Sequence, residues 1–239
     1  MQTEPTEFMR DRHVLVTGGT GGLGRGVTAV LLAQGASVTI PYIKSQGVEA
    51  FQAQLSEAER SRVRFVSADM SNEASVISLI QSHDRLDATI HLVGGFAMGP
   101  TADFSFAEWR QQLDLNLNTT FLVCKHSLQK MLQQDYGRIV TVGSRGAVQP
   151  TGQLAAYCAS KAGVVALTQA IADETKGTGV TANVVLPSVI DTPGNREAMG
   201  ADQADQWVTP ESLGQVIAFL ASPAAKDIRG AAVPVYGQT

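Results

Sequence analysis

His13-Val-Leu-Val-Thr-Gly-Gly-Thr-Gly-Gly-Leu-Gly24 is the stretch that decides the fold. A short, β-favouring run enters a turn crowded with glycine, and the apolar pattern resumes at helical spacing from Gly22. Glycines let a backbone turn tightly and approach a ligand with no Cβ in the way. A helix amino terminus that follows directly offers free N–H groups to a pyrophosphate. On its own such a turn is equally a flexible loop. Between the first strand and first helix of an alternating chain it points to a dinucleotide site.

The chain does alternate. Strands are expected at 13–17, 37–40, 63–68, 88–93, 138–143, 181–186 and 232–235, and helices at 22–34, 46–58, 73–82, 106–133, 154–175 and 210–221. Several of the strands are almost wholly apolar, as strands covered on both faces must be. This order predicts one α/β domain spanning residues 1–239: a doubly wound, seven-stranded parallel sheet with right-handed crossovers and helices on both faces. Ligands of such sheets bind at the carboxyl ends of the strands, near the switch in strand order.

Composition narrows the functional classes. The 239 residues are 44% hydrophobic and 17% charged, which suits one sizeable core. The net charge of -4, with no basic block, argues against nucleic acid or an anionic membrane surface as partner. Apolar runs fall short of a membrane span. Met1–Glu7 is polar and acidic, unlike a targeting peptide. Cys124 and Cys158 stand without His or acidic partners at ligand spacing, so no metal is expected. A cytoplasmic, disulfide-free enzyme is the expectation, with Cys158 open to thiol reagents because it adjoins Tyr157.

Tyr157-Cys-Ala-Ser-Lys161 lies in an alanine-rich helical stretch, and Ser144 closes the run Arg138–Gly143 upstream. Residues four apart share a helix face. The spacing therefore predicts the Lys161 ammonium beside the Tyr157 phenol, with the Ser144 hydroxyl brought to the same spot. At roughly 4 Å and an effective dielectric near 20, that cation contributes about 4 kcal/mol, or about three pKa units. It would bring the phenol close to working pH for proton transfer. Tyr-x-x-x-Lys also recurs by chance on exposed helices, and Ser144 could be a plain turn residue. Asp69, at the end of the third strand, could accept from an adenine amino group or merely cap the helix starting near Ser71.

Thr17-Gly18-x-x-x-Gly22-x-Gly24, Asp69, Asn116, Ser144, Tyr157-x-x-x-Lys161 and Pro187…Thr192 together resemble the short-chain dehydrogenase/reductase family, over almost the whole chain. The resemblance implies a Rossmann fold, NAD(P)-dependent hydride transfer and a catalytic set of Asn116, Ser144, Tyr157 and Lys161. Tyr157 would exchange the proton, Lys161 would hold the nicotinamide ribose and acidify the phenol, and Ser144 would bind the substrate oxygen. Asn116, rather than nearby Asn118, would position a water leading from Lys161. Cofactor contacts are implied for Thr17, Gly18, Gly22, Leu23, Gly24, Tyr42, Lys44, Ser45, Asp69, Met70, Gly94, Tyr157, Lys161, Pro187, Ile190 and Thr192. Two departures stand out: Ser188 replaces the usual glycine after Pro187, and His91-Leu-Val-Gly94 replaces Asn-Asn-Ala-Gly. His91 is expected to pack or hydrogen-bond within its strand.

NAD-specific relatives carry an Asp at the end of strand two, and this chain has Pro41-Tyr-Ile-Lys-Ser45. With no carboxylate there to repel a 2′-phosphate, NADP(H) is favoured and NAD(H) remains open, because the glycine turn lacks the basic residue of many NADP-binding relatives. The substrate expected is a smaller or more polar carbonyl or alcohol under a short lid at about 192–208, polar except for Met199 and Trp207, with Phe96, Met98 and Trp207 lining the pocket or covering the core. Val93–Phe96 and Asp191…Pro210 are similar to quinoid dihydropteridine reductase, which makes a pteridine-type reductase the alternative. A non-catalytic NAD(P)-binding sensor or scaffold is the rival of another class. A homo-oligomer, dimer or tetramer, would pair the 106–133 and 154–175 helices.

Overall fold

The structure is a computed structural model that describes residues 8–239; Met1–Glu7 lies outside them. In chain order its elements are β1 (His13–Thr17), α1 (Gly22–Ala33), β2 (Ser37–Tyr42), α2 (Gln46–Gln52), α3 (Glu57–Arg60), β3 (Val63–Ser67), α4 (Glu73–Gln81) and β4 (Ala88–His91). There follow α5 (Phe106–Leu113), α6 (Thr119–Gln134), β5 (Gly137–Val142), α7 (Ala155–Glu174), β6 (Val180–Pro187), α8 (Pro193–Met199), α9 (Pro210–Ala221) and β7 (Ala232–Val235). The strands form one seven-stranded sheet in the order β3-β2-β1-β4-β5-β6-β7. Every neighbouring pair is parallel. Strand order therefore reverses between β1 and β4, where the glycine turn emerges.

Side-chain alternation along the strands assigns the two faces. Val14 and Val16 of β1, Ile90 of β4 and Val140 of β5 join one core with Leu31 of α1 and Ile217 of α9. Leu15 and Ile139 point the other way, into a core with Ile80 of α4, Val123 of α6 and Ile171 of α7. This second face also carries buried hydrogen-bonded pairs: Thr89 Oγ1 to Ser127 Oγ at 2.9 Å and Thr141 Oγ1 to Thr168 Oγ1 at 2.7 Å. Each joins a strand to its covering helix and satisfies polar atoms that would otherwise be costly to bury.

Two expected helices are divided. The 46–58 stretch breaks because Ser56 starts a new helix: its Oγ accepts from Glu59 N–H while the Glu59 carboxylate accepts from Ser56 N–H. The 106–133 stretch is interrupted by a π-helical turn over Asp114–Asn118. Thr119 and Thr120 hydroxyls donate to the carbonyls of Leu115 and Asn116, both at 2.6 Å, and support the wider turn. The helix after Asp69 begins at Glu73 rather than near Ser71, and its cap is Asn72 rather than Asp69. Strand β4 ends at His91, two residues before the expected Val93, and Leu92 to Gly94 leave the sheet at the switch point.

Candidate active site

The glycine turn is closed by Gly21 N–H donating to the Gly18 carbonyl at 3.1 Å, with Gly18 in the left-handed region at φ +71°. A Cβ on Gly24 would stand 2.2 Å from that carbonyl oxygen, so α1 can start under the turn only with glycine there. A groove of about 780 Å³ runs from this turn past Leu92, Val93 and Gly94 to Thr192, Pro193 and Gly194. A bare backbone cradle, a helix amino terminus and an elongated groove at the strand-order switch fit a nicotinamide dinucleotide.

The expected cofactor residues divide. Gly18, Gly22, Leu23, Gly24, Gly94 and Thr192 line the groove. Thr17 does not offer its hydroxyl to it: the residue is fully buried and Oγ1 pairs with His91 Nδ1 at 2.8 Å. The Met70 side chain is likewise withdrawn, buried in the core under α4. Asp69 Oδ1 accepts from both the N–H and hydroxyl of Ser71, each at 2.8 Å, which leaves its second oxygen outside that turn. Tyr42 is half-buried at the end of β2, Lys44 is exposed, and Ser45 caps α2 without a side-chain bond. Pro187 is buried at the end of β6, and Ile190 is half-buried and bridges to Val208. Ser188 turns without a positive φ; its hydroxyl donates to the Tyr236 carbonyl at 2.6 Å, so a glycine is not needed there.

Sequence reasoning missed Arg25. It lines the groove, donates through Nε to the Thr20 carbonyl at 3.0 Å and lies over the Phe51 ring at 5.8 Å. The glycine turn is thus not without a basic neighbour, and the signal was in plain view one residue after Gly24.

Tyr157 and Lys161 project from one face of α7, and Ser144 caps the turn after β5, its Oγ accepting from Gly146 N–H at 3.0 Å. Lys161 is buried, donates to the Val142 carbonyl at 2.9 Å and is pushed down to about 8 by burial. The phenol departs from expectation. Burial pushes the Tyr157 hydroxyl above its ordinary value, the Ser144 side chain pulls it back, and Cys158 adds a further upward push. Lys161 is not among the causes of this shift: its ammonium is held on the Val142 carbonyl, and the expected acidification of the phenol by it does not occur.

Asn116 sits buried at the centre of the π-turn. Its Oδ1 accepts from Gly95 N–H at 3.0 Å, and its Nδ2 donates to the carbonyls of Gly95 at 2.9 Å and Gln112 at 3.1 Å. The amide therefore clamps the loop after β4, whereas exposed Asn118 only bonds Asp114. A Cβ at Gly94 would lie 2.7 Å from Asn116 Oδ1 and 3.1 Å from Lys161 Nζ, so both groups reach the groove across that residue.

His91 bonds across elements rather than within its strand. Thr119 uses its hydroxyl proton on Leu115, so His91 Nε2–H must donate to Thr119 Oγ1 at 3.3 Å while Nδ1 accepts from Thr17. Burial, aided by the Lys161 charge, holds the imidazole neutral, with its pKa lowered to about 3. Trp207 is buried and belongs to the core, whereas Phe96 and Met98 are exposed. Both cysteines are buried and free: the burial of Cys158 removes the expected access for thiol reagents, and burial pushes the Cys124 thiol up to about 12.

The sequence profile described as short chain dehydrogenase matches residues 12–203. D-threitol dehydrogenase of Mycolicibacterium smegmatis is 31% identical over 97% of this chain and 94% of its own. D-beta-hydroxybutyrate dehydrogenase of Cupriavidus necator is also 31% identical, over 94% and 96%. The crystal structure of levodione reductase superposes with a TM-score of 0.88 at 29% identity, covering 96% of this chain and 97% of that one. With such a groove, sheet and profile, the chain belongs to the short-chain dehydrogenase family and is an NAD(P)-dependent oxidoreductase acting on CH–OH or C=O groups.

Proposed function

We propose that the protein is an NADP(H)-dependent carbonyl reductase, or secondary-alcohol dehydrogenase in reverse, with Tyr157 as the proton donor. The carrying observation is the hydrogen bond between Ser144 and Tyr157 at the carboxyl ends of the strands, with Lys161 reaching the groove beside Gly94 from the same face of α7. The dinucleotide, when bound, supplies the hydride. Ser144 donates a hydrogen bond to the carbonyl oxygen and stabilises charge as it develops there. Tyr157 delivers the proton to the same oxygen. Lys161 holds the ribose hydroxyls, Asn116 fixes the loop on which Gly94 rides, and Thr192 to Gly194 close the far end of the groove. Segment 192–208 acts as the lid. Tyr157→Phe should abolish turnover while leaving the NADPH fluorescence titration nearly unchanged; retained turnover would refute the assignment. A quinonoid dihydropterin reduced faster than every ketone would replace carbonyl reduction with the pteridine reading.

The phosphate preference is supported by Lys44 and Ser45 after β2, the lack of a carboxylate from Pro41 to Ser45, and Arg25 on the groove wall. Arg25→Ala with Lys44→Ala should weaken NADPH at least about tenfold and NADH little, the scale of two charge-assisted phosphate contacts. Equal weakening of both would point to a general loss of the groove. A homo-oligomer is part of the same reading, supported by exposed Phe106, Phe121 and Leu132 on α5 and α6; a monomer in light scattering would defeat it. A cytoplasmic location accords with two unpaired cysteines.

A further inference from the structure

Three loops, residues 94–104, 144–154 and 188–209, follow the carboxyl ends of β4, β5 and β6, and the first two reach Tyr157 through Phe96 and Gly146. Their side chains make the surface that the rest of a substrate must meet. Among the described residues ten large apolar side chains are exposed, and four stand on these loops: Phe96 (48%), Met98 (61%), Val148 (50%) and Met199 (58%). Phe96 lies edge to face against the phenol itself, with centroids 6.2 Å apart and planes at 69°. About half of that ring remains open beside the reacting hydroxyl. A half-open aromatic face in contact with the phenol marks a place that binds apolar matter.

Charge on the same loops points the same way. Their cations are Arg145 and Arg196 and their carboxylates Asp103, Asp191, Glu197, Asp202 and Asp205, a net of 2 − 5 = −3. Both cations are engaged. Arg196 forks onto Asp191 at 2.5 and 2.7 Å, and Arg145 donates to Gln149 Oε1 at 2.8 Å while its guanidinium lies 5.2 Å from the Tyr236 ring. On these loops a carboxylate or phosphate would find both cations already engaged and would have to displace one of these partners. A polyol would cover Phe96 and Met98 with groups that prefer water.

We infer that the substrate is a neutral ketone, or its secondary alcohol, whose ring-sized apolar portion packs on the open face of Phe96 beside Tyr157. Hydroxy acids, phosphorylated compounds and polyols are discriminated against. The inference rests on the carbonyl reductase reading and deepens it.

The test uses the full chain with NADPH and a matched set: cyclohexanone, 4-tert-butylcyclohexanone, 4-oxocyclohexanecarboxylate and dihydroxyacetone. The expected kcat/KM is highest for the tert-butyl ketone, exceeding the carboxylate and dihydroxyacetone each by about tenfold or more, the discrimination a few buried methyl groups supply. Phe96→Ala should raise KM for the tert-butyl ketone about tenfold with a far smaller change for cyclohexanone, a split that general damage to the fold would not produce. The carboxylate or dihydroxyacetone preferred, or an unchanged size gradient in Phe96→Ala, overturns the inference. Should no compound be reduced, saturation-transfer NMR on the same set decides. Selective binding of the tert-butyl ketone would then retain apolar recognition and remove the reductase reading; equal or absent binding would remove both.

Discussion

His91 is the buried group whose titration makes the sharpest demand on the structure. Its pKa lies at about 3 in the folded chain against an ordinary value of 6.5, because the imidazole is enclosed and held between Thr17 and Thr119. A depressed folded-state pKa means that the unfolded chain binds the proton first. The stabilisation is therefore complete above about pH 6.5 and is lost progressively as pH falls toward 3. At about 1.4 kcal/mol per pH unit, lowering pH from 7.5 to 5 should remove about 2 kcal/mol through this residue alone. His91→Asn keeps a polar side chain that never titrates. Urea unfolding of both proteins across that range isolates the contribution, since every other ionising group is common to the two. The gap in stability between native protein and variant should shift by about 2 kcal/mol in the variant's favour on acidification. Parallel pH profiles would refute the buried neutral imidazole and the tautomer deduced from Thr119.

Other consequences are as direct. Gly94→Ala places a methyl 2.7 Å from Asn116 Oδ1 and 3.1 Å from Lys161 Nζ; kcat should fall by about tenfold or more, the scale of an ångström-sized misplacement, with the melting temperature little moved. Lys161, at about 8, loses its proton as pH rises, so NADPH affinity measured by fluorescence should weaken above about pH 8 and Lys161→Arg should flatten that profile. Thr192 Oγ1 accepts from Asn195 N–H at 3.3 Å and caps α8. Thr192→Ala should cost about 1 kcal/mol locally and speed hydrogen exchange in residues 195–199 about fivefold.

Much of the fold was legible because it rests on periodicity. Near-continuous apolar strands and amphipathic helices dictate a sheet covered on both faces, and all seven strands lie within a few residues of their expected ends. The breaks were less visible. Ser56 and Glu59 form a recognisable capping pair, but the π-turn at Asp114–Asn118 depends on threonine hydroxyls reaching back to carbonyls and on Asn116 gripping Gly95, contacts that spacing does not announce. At the site, the positions of Ser144, Tyr157 and Lys161 followed from helix geometry. The direction of the phenol shift did not, because a four-residue spacing gives proximity of backbones and says nothing about which carbonyl holds the ammonium or how deeply the ring is buried. Thr17 and Met70 show the same limit: whether a side chain faces groove or core depends, for Thr17, on which sheet face its strand presents and, for Met70, on how the turn after β3 packs under α4.

The link from β4 through His91 to Thr119 also constrains how this chain can change. An asparagine at 91 is too short to span Thr17 and Thr119 together, and a valine at 119 would strand Nε2–H without an acceptor. Neither exchange is neutral singly, because each leaves a buried polar group without its partner. Two positions 28 residues apart in sequence are thereby energetically coupled, and a double-mutant cycle between them should not be additive.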